Sequence, residues 1–230
     1  METLNDKEVF TYTLEELLGP LNDVEKRYAP DELYVSGSLP VPLPGPRLSV
    51  IGSRRASNEG LKAAEKIVKT LVRNDAIVVS GLARGIDTRA HVTAIKERGY
   101  TIAVLGTPLD KVYPRENFKL QDIIMRHHLA VSQFPSGHQT TPKDFVIRNR
   151  TMALISDASI IVEAGDSSGS LHQGWETLRL GRPLFIWSTL MNNPVLSWPS
   201  KMLEYGAIEL GDPEEVFDHI PTQGILNLAL

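Results

Sequence analysis

Short apolar runs alternate with amphipathic stretches through most of the chain. Six runs are rich in β-branched residues and nearly free of charge, as strands buried on both faces of a sheet are, and they fall at residues 48–52, 76–81, 101–106, 129–132, 158–164 and 183–187. Helical spacing follows the first run at Ala64, Ile67 and Leu71. After the second run we predict a helix with Asp87 as its N-cap and Gly99 as its C′ residue. Strands that alternate with helices predict an α/β fold: a Rossmann-like, doubly wound, mainly parallel sheet with helices on both faces.

The two ends of the chain depart from this pattern. Residues 1–46 offer one or two short helices and then a connector with four prolines in eleven residues, at 37–47, which resists regular structure. We predict an N-terminal extension that packs on a main domain of residues 47–220. A capping helix is expected near the end of that domain, and residues 221–230 are expected to form a tail.

Composition narrows the functional classes. The 230 residues are 42% hydrophobic, enough for one substantial core, and their formal net charge is −4, so a site for a polyanion has to be a local basic patch. The absence of cysteine excludes disulfides and thiolate zinc sites. The sequence shows no secretory signal and no apolar run near 18 residues, so we expect a cytoplasmic protein without membrane contact. No catalytic residue, metal or cofactor is predicted.

Glycine, serine and arginine follow the predicted strands. The carboxyl ends of parallel strands share one edge of the sheet, where ligands bind in the crevice. Glycine allows close approach of the backbone, helix N-termini present free N–H groups to anions, and arginine matches phosphate. Each loop alone is also ordinary turn chemistry, but several arginine-containing loops on one edge favour a phosphate-bearing ligand. The residues concerned are Gly52, Ser53, Arg54, Arg55, Gly81, Arg84 and Gly85, with Ser168, Gly169 and Ser170 after the fifth run.

Two arginines stand in a predicted helix at 144–156. At about 100° per residue, Phe145, Arg148 and Asn149 share one side of the helix, whereas Arg150 lies about 160° from Arg148. The two arginines cannot both face one groove, so we expect one to contact the ligand and the other to anchor the helix. Phe145 beside a cation suits the stacking of a base and the binding of its phosphate, although a core position for Phe145 is an equal alternative on pattern alone.

Histidine and tryptophan have simpler interpretations. Asp87 and His91 have the i, i+4 spacing of a metal or acid–base pair, but the predicted cap role of Asp87 and the lack of further ligands favour a structural role. The pair His127-His128 is predicted to lie at a solvated helix end. The three tryptophans are assigned to the core or to an interface.

The sequence resembles the DNA-processing protein A (DprA/Smf) family over residues 33–220. The resemblance rests on the segments SVIGSRRAS, VVSGLARGIDTRAH, TIAVLGTPLDKVYPREN, FVIRNRTMALISDASIIVEAGDSSGSL and GRPLFIW, which occur here in the family's order and spacing. It implies a Rossmann-like dimer that binds single-stranded DNA without strong sequence preference, protects incoming strands in natural transformation and helps to load the RecA recombinase. No catalytic turnover is attributed to the family.

The resemblance also assigns roles to individual positions. Arg54 matches an arginine that contacts the DNA backbone, Phe145 matches an aromatic that stacks on a base, and Lys143 lies near a DNA-contacting lysine of some members. The turn at 168–170 matches one that shapes a phosphate pocket. The complete predicted DNA-binding set is Gly52, Ser53, Arg54, Arg55, Gly81, Arg84, Gly85, Lys143, Phe145, Arg148, Asn149, Arg150, Ser168, Gly169 and Ser170.

Some positions depart from the family pattern. Gln133, Gln173 and Gly174 replace its usual residues, and the sequence ends without the C-terminal winged-helix domain of many members. DNA binding is the expectation that these departures leave in place. An alternative is a nucleotide-binding sensor related to the LOG-type (lysine decarboxylase-like) proteins, whose signature glutamate would fall on Gln173, and glutamine cannot serve as a carboxylate base.

A dimer interface is expected near the end of the main domain. The segment 192–206 contains Val195, Leu196, Trp198, Met202 and Leu203, a large apolar surface. These residues form the predicted homodimer contact. Their alternative role is to cover the edge of the sheet within one subunit.

Overall fold

The computed structural model describes residue 4 and residues 7–220, so the predicted tail at 221–230 lies outside the described residues. Its strands are β1 (Phe10–Tyr12), β2 (Leu33–Gly37), β3 (Arg47–Gly52), β4 (Ile77–Ser80), β5 (Thr101–Leu105), β6 (Leu129–Ser132), β7 (Ala158–Glu163), β8 (Leu184–Trp187) and β9 (Ile208–Leu210). The α-helices are α1 (Leu14–Leu18), α2 (Asp23–Tyr28), α3 (Asn58–Arg73), α4 (Ile86–Lys96), α5 (Phe118–His127), α6 (Pro142–Ile155), α7 (Ser170–Arg179) and α8 (Trp198–Glu204). Short 3-10 helices lie at Arg115–Asn117, Ser188–Leu190 and Pro213–His219.

All strands join one sheet, in the order β1-β2-β6-β5-β4-β3-β7-β8-β9. From β6 to β9 in that order the neighbours are parallel, which confirms the prediction of a doubly wound α/β fold. The six predicted runs are β3 to β8, whereas β9 was not predicted. After β6 the chain returns to the other side of β3, so the strand order reverses there, and a crevice for ligands is expected at the carboxyl end of β3.

Alternate residues of the central strands face two separate cores. Leu48 and Val50 of β3 pack with the apolar stripe of α3, whose Ile67 and Leu71 are fully buried. Ile51 faces the opposite layer, which contains side chains of α6, α7 and α8. Two covered faces explain why nearly every position of these strands is buried and why the runs show no alternation of apolar and polar residues.

The N-terminal segment contributes to the same sheet. Its helices α1 and α2 agree with the predicted short helices, and each begins with a capping box, at Thr13 and Asn22. The strands β1 and β2 were not predicted; β2 pairs antiparallel with β6, and β1 pairs antiparallel with β2. The ion pair of Glu25 with Arg182 ties α2 to the loop after α7, and Arg182 also donates to carbonyls at the end of α6.

Three local predictions were wrong. The cap of α4 is Gly85, with φ +73°, while Asp87 lies inside the helix and accepts from the Ala83 N–H at 3.3 Å. Arg98, with φ +61°, takes the left-handed position expected of Gly99. His128 is buried rather than solvated, and its ring packs edge-on against Tyr100.

The predicted dimer segment is mostly packed within its own chain. Trp198 is 6% exposed and Met202 is fully buried, and the indole Nε1 of Trp198 donates to the Ala164 carbonyl at 3.3 Å. These two side chains cover the sheet, as the alternative stated. Val195 and Tyr205 are the exposed apolar side chains of the segment, at 79% and 64%.

Candidate functional site at the carboxyl edge of the sheet

An open cleft of about 760 Å³ lies at the carboxyl end of β3, where the strand order reverses. The loop after β3 forms one side, α6 forms the floor, and the loop before α7 forms the other side. The residues that line the cleft are Ile51, Gly52, Ser53, Arg54, Arg55, Ala83, Asp87, Tyr113, Pro142, Phe145, Val146, Arg148, Asn149, Met152, Gly165, Ser167, Ser168, Gly169, Ser170, His172 and Gln173.

Four side chains form the rim of the cleft: Arg54, Arg55, Tyr113 and Phe145. The two arginines are exposed, and neither forms an ion pair with any described residue. The Arg54 guanidinium lies 5.8 Å from the centroid of the Phe145 ring, and the centroid of the Tyr113 ring lies 5.1 Å from the same point. The rim therefore presents free cations next to accessible aromatic rings.

Two glycines fit the side chains of α6 rather than a ligand. A Cβ on Gly106 would lie 2.6 Å from Cδ1 of Phe145, and a Cβ on Gly81 would lie 1.9 Å from Nη1 of Arg148. The strand-end glycines thus allow α6 to approach the sheet edge closely. From the sequence we had expected such glycines to let a ligand approach the backbone. Their close fit fixes the positions of the Phe145 ring and the Arg148 guanidinium.

Arg148 lies under the cleft and is 4% exposed. Its Nη1 donates to the carbonyls of Gly81 and Val104, and its Nε donates to the side chain of Asn149. Burial lowers the pKa of Arg148 to about 10, with Asp87 opposing and Arg54 adding to the shift, so the guanidinium stays charged at neutral pH. Nη2 makes no hydrogen bond within the described residues, and it is the part of Arg148 left to face the cleft.

Asp87 is the carboxylate that accompanies this buried cation. It is 5% exposed, and burial raises its pKa although the charges of Arg148 and Arg54 and backbone N–H groups act in the opposite direction. The Coulombic attraction between Asp87 and Arg148 favours the charged form of each group, whereas burial opposes it in both. The exposed cations at the cleft are those of the rim.

His91 lies deeper in the same region. Thr101 donates its hydroxyl to the Val78 carbonyl and so accepts from Nδ1 of His91 at 2.7 Å, while the buried Nε2 has no partner within the described residues. Burial, assisted by the nearby His128 and Arg148, lowers the pKa of His91 to about 3. His91 is thus a neutral structural residue, which agrees with its predicted role.

The other wall of the cleft is the loop before α7. Ser168 and Ser170 face each other with their hydroxyl oxygens 2.7 Å apart, and the N-terminus of α7 follows directly. The side-chain amide of Asn149 donates to the Gly169 carbonyl at 3.0 Å and so ties this wall to α6. The N–H groups of Ser168, Leu171 and His172 already donate to carbonyls of this segment, so the two serine hydroxyls and the remaining N–H groups at the start of α7 are the donors that suit a phosphate.

Gln173 is fully buried behind this wall. Its Nε2 donates to the Ser49 hydroxyl at 2.9 Å, and its Oε1 has no partner within the described residues. The position that aligns with a glutamate in LOG-type proteins is thus occupied by a neutral side chain that belongs to a polar cluster between α7 and the sheet. Asp87, His91, Arg148, Asn149 and Gln173 together form what we call the buried polar layer beneath the cleft.

The predicted site residues fall into two groups. Ten line the cleft: Gly52, Ser53, Arg54, Arg55, Phe145, Arg148, Asn149, Ser168, Gly169 and Ser170. Gly81, Arg84, Gly85, Lys143 and Arg150 do not. Arg84 is engaged in a bidentate pair with Glu116, whose shorter distance is 2.6 Å, and Arg150 pairs with Glu176 at 3.4 Å while its guanidinium lies over Tyr28. Lys143 is exposed next to Pro142 at the cleft.

Eleven lining residues were not in the predicted DNA-binding set: Ile51, Ala83, Asp87, Tyr113, Pro142, Val146, Met152, Gly165, Ser167, His172 and Gln173. Tyr113 follows β5 in the segment LDKVYPREN, where a tyrosine between charged residues marks a solvent-facing aromatic. Val146 and Met152 follow from helical spacing around Phe145 and Asn149. Exposed aromatics after predicted parallel strands are therefore a usable signal for this kind of site.

The described residues offer neither a membrane span nor a cluster of metal ligands. No helix among residues 7–220 is long and apolar enough to cross a bilayer. Over the same described part of the chain, no three histidine, cysteine, aspartate or glutamate side chains are grouped so that they could hold a metal ion.

The fold and cleft define a class: a Rossmann-like protein with cations, rings and a helix N-terminus gathered at the point where the strand order reverses. The profile of the family described as DNA recombination-mediator protein A matches residues 12–221. The chain belongs to this family.

Curated relatives and solved structures agree. The chain is 30% identical to DNA processing protein DprA of Bacillus subtilis (strain 168), over 85% of this chain and 66% of the relative, and 42% identical to that of Streptococcus pneumoniae, over 68% and 55%. The chain thus spans roughly half to two thirds of the length of these relatives. It superposes on the X-ray structure of S. pneumoniae DprA with a TM-score of 0.78 and 30% identity, over 96% of this chain and 77% of that one. The Helicobacter pylori DNA processing protein A has the same fold, with a TM-score of 0.73, 24% identity and coverage of 90% and 94%.

Proposed function

We propose that this protein binds single-stranded DNA at the cleft, with Arg54 and Arg55 on the phosphate backbone and Phe145 on a base. One observation carries the proposal. Phe145 is half-buried on the rim and packs into none of the three hydrophobic cores among the described residues, although it lies beside the free guanidinium of Arg54. An aromatic that the core does not use, next to an unpaired cation, matches the way single strands are bound: bases stack and phosphates pair with cations.

The family assignment supports the same ligand. The relatives are DNA processing proteins, and the H. pylori protein binds single-stranded DNA. A single strand is favoured over a duplex because stacking needs an exposed base face, which pairing in a duplex hides. Little sequence preference is expected, since every base has such a face.

The opposite wall gives the phosphates a second contact. The N-terminus of α7 and the hydroxyls of Ser168 and Ser170 face the same cleft as Arg54. We assign one phosphate to the rim arginines and a neighbouring phosphate to this wall. With a net charge of −4, the protein as a whole gives little long-range attraction, so binding depends on these local groups.

Fluorescence anisotropy with labelled oligonucleotides tests the proposal. We expect a labelled thymidine oligomer to bind more tightly than the same length of duplex, with affinity that falls as salt rises. Thermal unfolding with mononucleotides, measured alongside, separates the two candidate ligands. No binding of the single strand at low salt, together with a stabilising shift by a nucleotide, would replace this proposal with the nucleotide-sensor function.

Assembly and partners are part of the proposal. One cleft covers few nucleotides, so two clefts on one strand would increase the avidity, and a homodimer that cooperates with a RecA-type recombinase is consistent with a recombination-mediator family. Since Trp198 and Met202 are buried in their own chain, the contact is assigned to the exposed Val195 and Tyr205. Sedimentation equilibrium of Val195→Asp tests it, with Val24→Asp on the exposed face of α2 as the matched control. A wild type that stays monomeric at micromolar concentration contradicts the dimer, and a dimer that Val195→Asp leaves intact moves the contact elsewhere.

A further inference from the structure

We propose that Tyr113 forms a second base-stacking subsite next to Phe145, so that the cleft holds two consecutive nucleobases on two rings. This inference rests on the proposed binding of single-stranded DNA. It assigns a ligand contact to a residue on the loop between β5 and α5, an element that otherwise only borders the site.

The Tyr113 ring is exposed without a structural reason. Its side chain is 51% exposed, and it packs into none of the three hydrophobic cores of the described residues. Its hydroxyl makes no hydrogen bond within the described residues, although a tyrosine that serves packing usually places its hydroxyl on a partner. The ring therefore presents both an aromatic face and a free hydroxyl to the cleft.

The loop that carries Tyr113 is held firmly on both sides. Before the tyrosine, the Thr107 hydroxyl donates to the Lys111 carbonyl at 2.9 Å, and the side chain of Gln121 donates to the Leu109 carbonyl at 3.0 Å. After it, the side chain of Asn117 donates to the Leu82 carbonyl at 2.9 Å. A fixed loop keeps the ring in place before the ligand arrives, so less conformational entropy is lost when a base stacks on it.

The spacing of the two rings suits neighbouring nucleotides of an extended strand. The centroids of Tyr113 and Phe145 are 5.1 Å apart, and the ring planes are inclined by 51°. Stacked nucleotides of B-DNA rise by about 3.4 Å, so two bases that lie on these rings are drawn apart and inclined to each other. Each base then exchanges its neighbour in the strand for a protein ring, which a duplex cannot allow.

The test compares strands with and without bases. Binding of a thymidine oligomer and of an abasic deoxyribose-phosphate oligomer of equal length is measured by competition for wild type, Tyr113→Ala, Tyr113→Phe and Phe145→Ala. We expect Tyr113→Ala to weaken binding of the thymidine oligomer by about 5- to 150-fold, the range for loss of one stacked base. Tyr113→Phe keeps the ring and should stay within about threefold of wild type. Binding of the abasic strand should be the same for wild type and Tyr113→Ala.

Each other outcome has one meaning. If Tyr113→Ala weakens the abasic strand as much as the thymidine oligomer, Tyr113 acts through the loop or a phosphate and the subsite is wrong. If wild type prefers the thymidine oligomer and Tyr113→Ala keeps that preference, the subsite is wrong while the proposed function stands. If wild type binds neither strand, the proposed function itself fails. Thermal unfolding of the variants checks the fold, and since the ring lies outside the cores, Tyr113→Ala should unfold at the wild-type temperature.

Discussion

The rim of the cleft and the buried polar layer beneath it use the same residue type in opposite ways. Arg54 on the rim is exposed, without an ion pair among the described residues, while Arg148 is 4% exposed and donates to two backbone carbonyls. The two guanidinium groups are close enough for Arg54 to disfavour the charge on Arg148. A cation with its hydrogen bonds already made holds the protein together, and a cation without them is available to a ligand.

The difference has a cause in the fold. Arg148 projects from the middle of α6 toward Gly81, which leaves room for it, and its hydrogen bonds to Gly81 and Val104 join α6 to two other segments of the chain. Arg54 stands on a turn after β3 with solvent around it. We therefore expect substitutions in the buried polar layer to change stability first and DNA binding second, and substitutions on the rim to do the reverse.

The largest effect is expected for Arg148→Ala. The change removes the donor to the carbonyls of Gly81 and Val104 and the positive charge that favours ionised Asp87, and each lost hydrogen bond to a charged group costs about 1.5–3 kcal/mol of unfolding free energy. Urea unfolding at pH 7 measures it. Arg148→Lys, which keeps the charge but lacks the separate Nε donor to Asn149, should fall between wild type and Arg148→Ala. A loss below about 1 kcal/mol for Arg148→Ala would remove the distinction between the layer and the rim.

His91, in the buried polar layer, should make the stability of the protein depend on pH. The unfolded chain takes up a proton near the ordinary histidine pKa, but the folded chain does so only near pH 3, so this residue makes stability fall as pH drops from about 6.5 towards 3. The slope is about 1.4 kcal/mol per pH unit for one such group. His91→Asn keeps an N–H toward Thr101 and removes the titration. Asp87 and His128 titrate in both proteins, so the difference between the two stability curves isolates His91, and parallel curves would show that His91 is not protected in the folded state.

Phe145→Ala tests the ring on the rim. Loss of one stacked base should weaken binding of single-stranded DNA by about 1–3 kcal/mol. The salt dependence of binding should stay the same, because stacking is not ionic. The unfolding free energy should change little, since Phe145 lies outside the cores. Anisotropy titrations at several salt concentrations measure both quantities. Phe145→Leu is the control, since it keeps apolar volume without an aromatic face. Full binding by Phe145→Leu would show that shape, not stacking, is recognised.

Arg54→Ala is the ionic counterpart on the rim. A single lost phosphate contact should lower the slope of log binding constant against log salt by about 0.7 for a single strand, without loss of stability. Arg54→Lys keeps a positive charge and should preserve most of the slope. Equal changes of slope for Phe145→Ala and Arg54→Ala would mean that the roles of these two residues are assigned wrongly.

Most of the sheet could be predicted from the sequence because the central strands are recognisable from their own residues. Continuous apolar runs marked β3 to β8, and the loops after them located the edge that carries the cleft. The strands β1 and β9 have three residues each and lie at the two edges of the sheet, and β2 pairs antiparallel with both of its neighbours, outside the strand–helix alternation; all three were missed. Strands of this kind form because they pair with a strand that is distant in sequence, and the local sequence pattern gives no information about that pairing.

Helical spacing predicted that Arg148 and Arg150 lie on different sides of α6, and the structure agrees. The division of roles differs from the expectation, because the buried anchor is Arg148, on the cleft side, and Arg150 is the more exposed of the two. Arg148 faces the cleft and Arg150 faces α7 and the N-terminal helix α2. How deeply the side chains of α6 are buried was not predictable from the sequence. Their burial depends on Gly81 and Gly106, which are distant along the chain and let α6 approach the edge of the sheet. The sequence marks Tyr113 as an exposed aromatic after a strand, but its place next to Phe145 was not predictable, because only the fold brings the two rings together.

The smallest effect is expected for Arg150→Ala, although this arginine stands two positions from Arg148. The ion pair of Arg150 with Glu176 is partly exposed. Arg179 also pairs with Glu176, at 3.2 Å, and lies over the same Tyr28 ring. Arg179 therefore keeps a cation next to Glu176 and Tyr28 when Arg150 is removed. Unfolding free energy should drop by less than about 1 kcal/mol, with DNA binding unchanged. The double variant Arg150→Ala, Arg179→Ala should lose more than the sum of the single variants, because only then are Glu176 and Tyr28 left without a cation. Urea unfolding of all four proteins measures this coupling, and a loss above about 2 kcal/mol for Arg150→Ala alone would place that residue with the buried polar layer rather than at the surface.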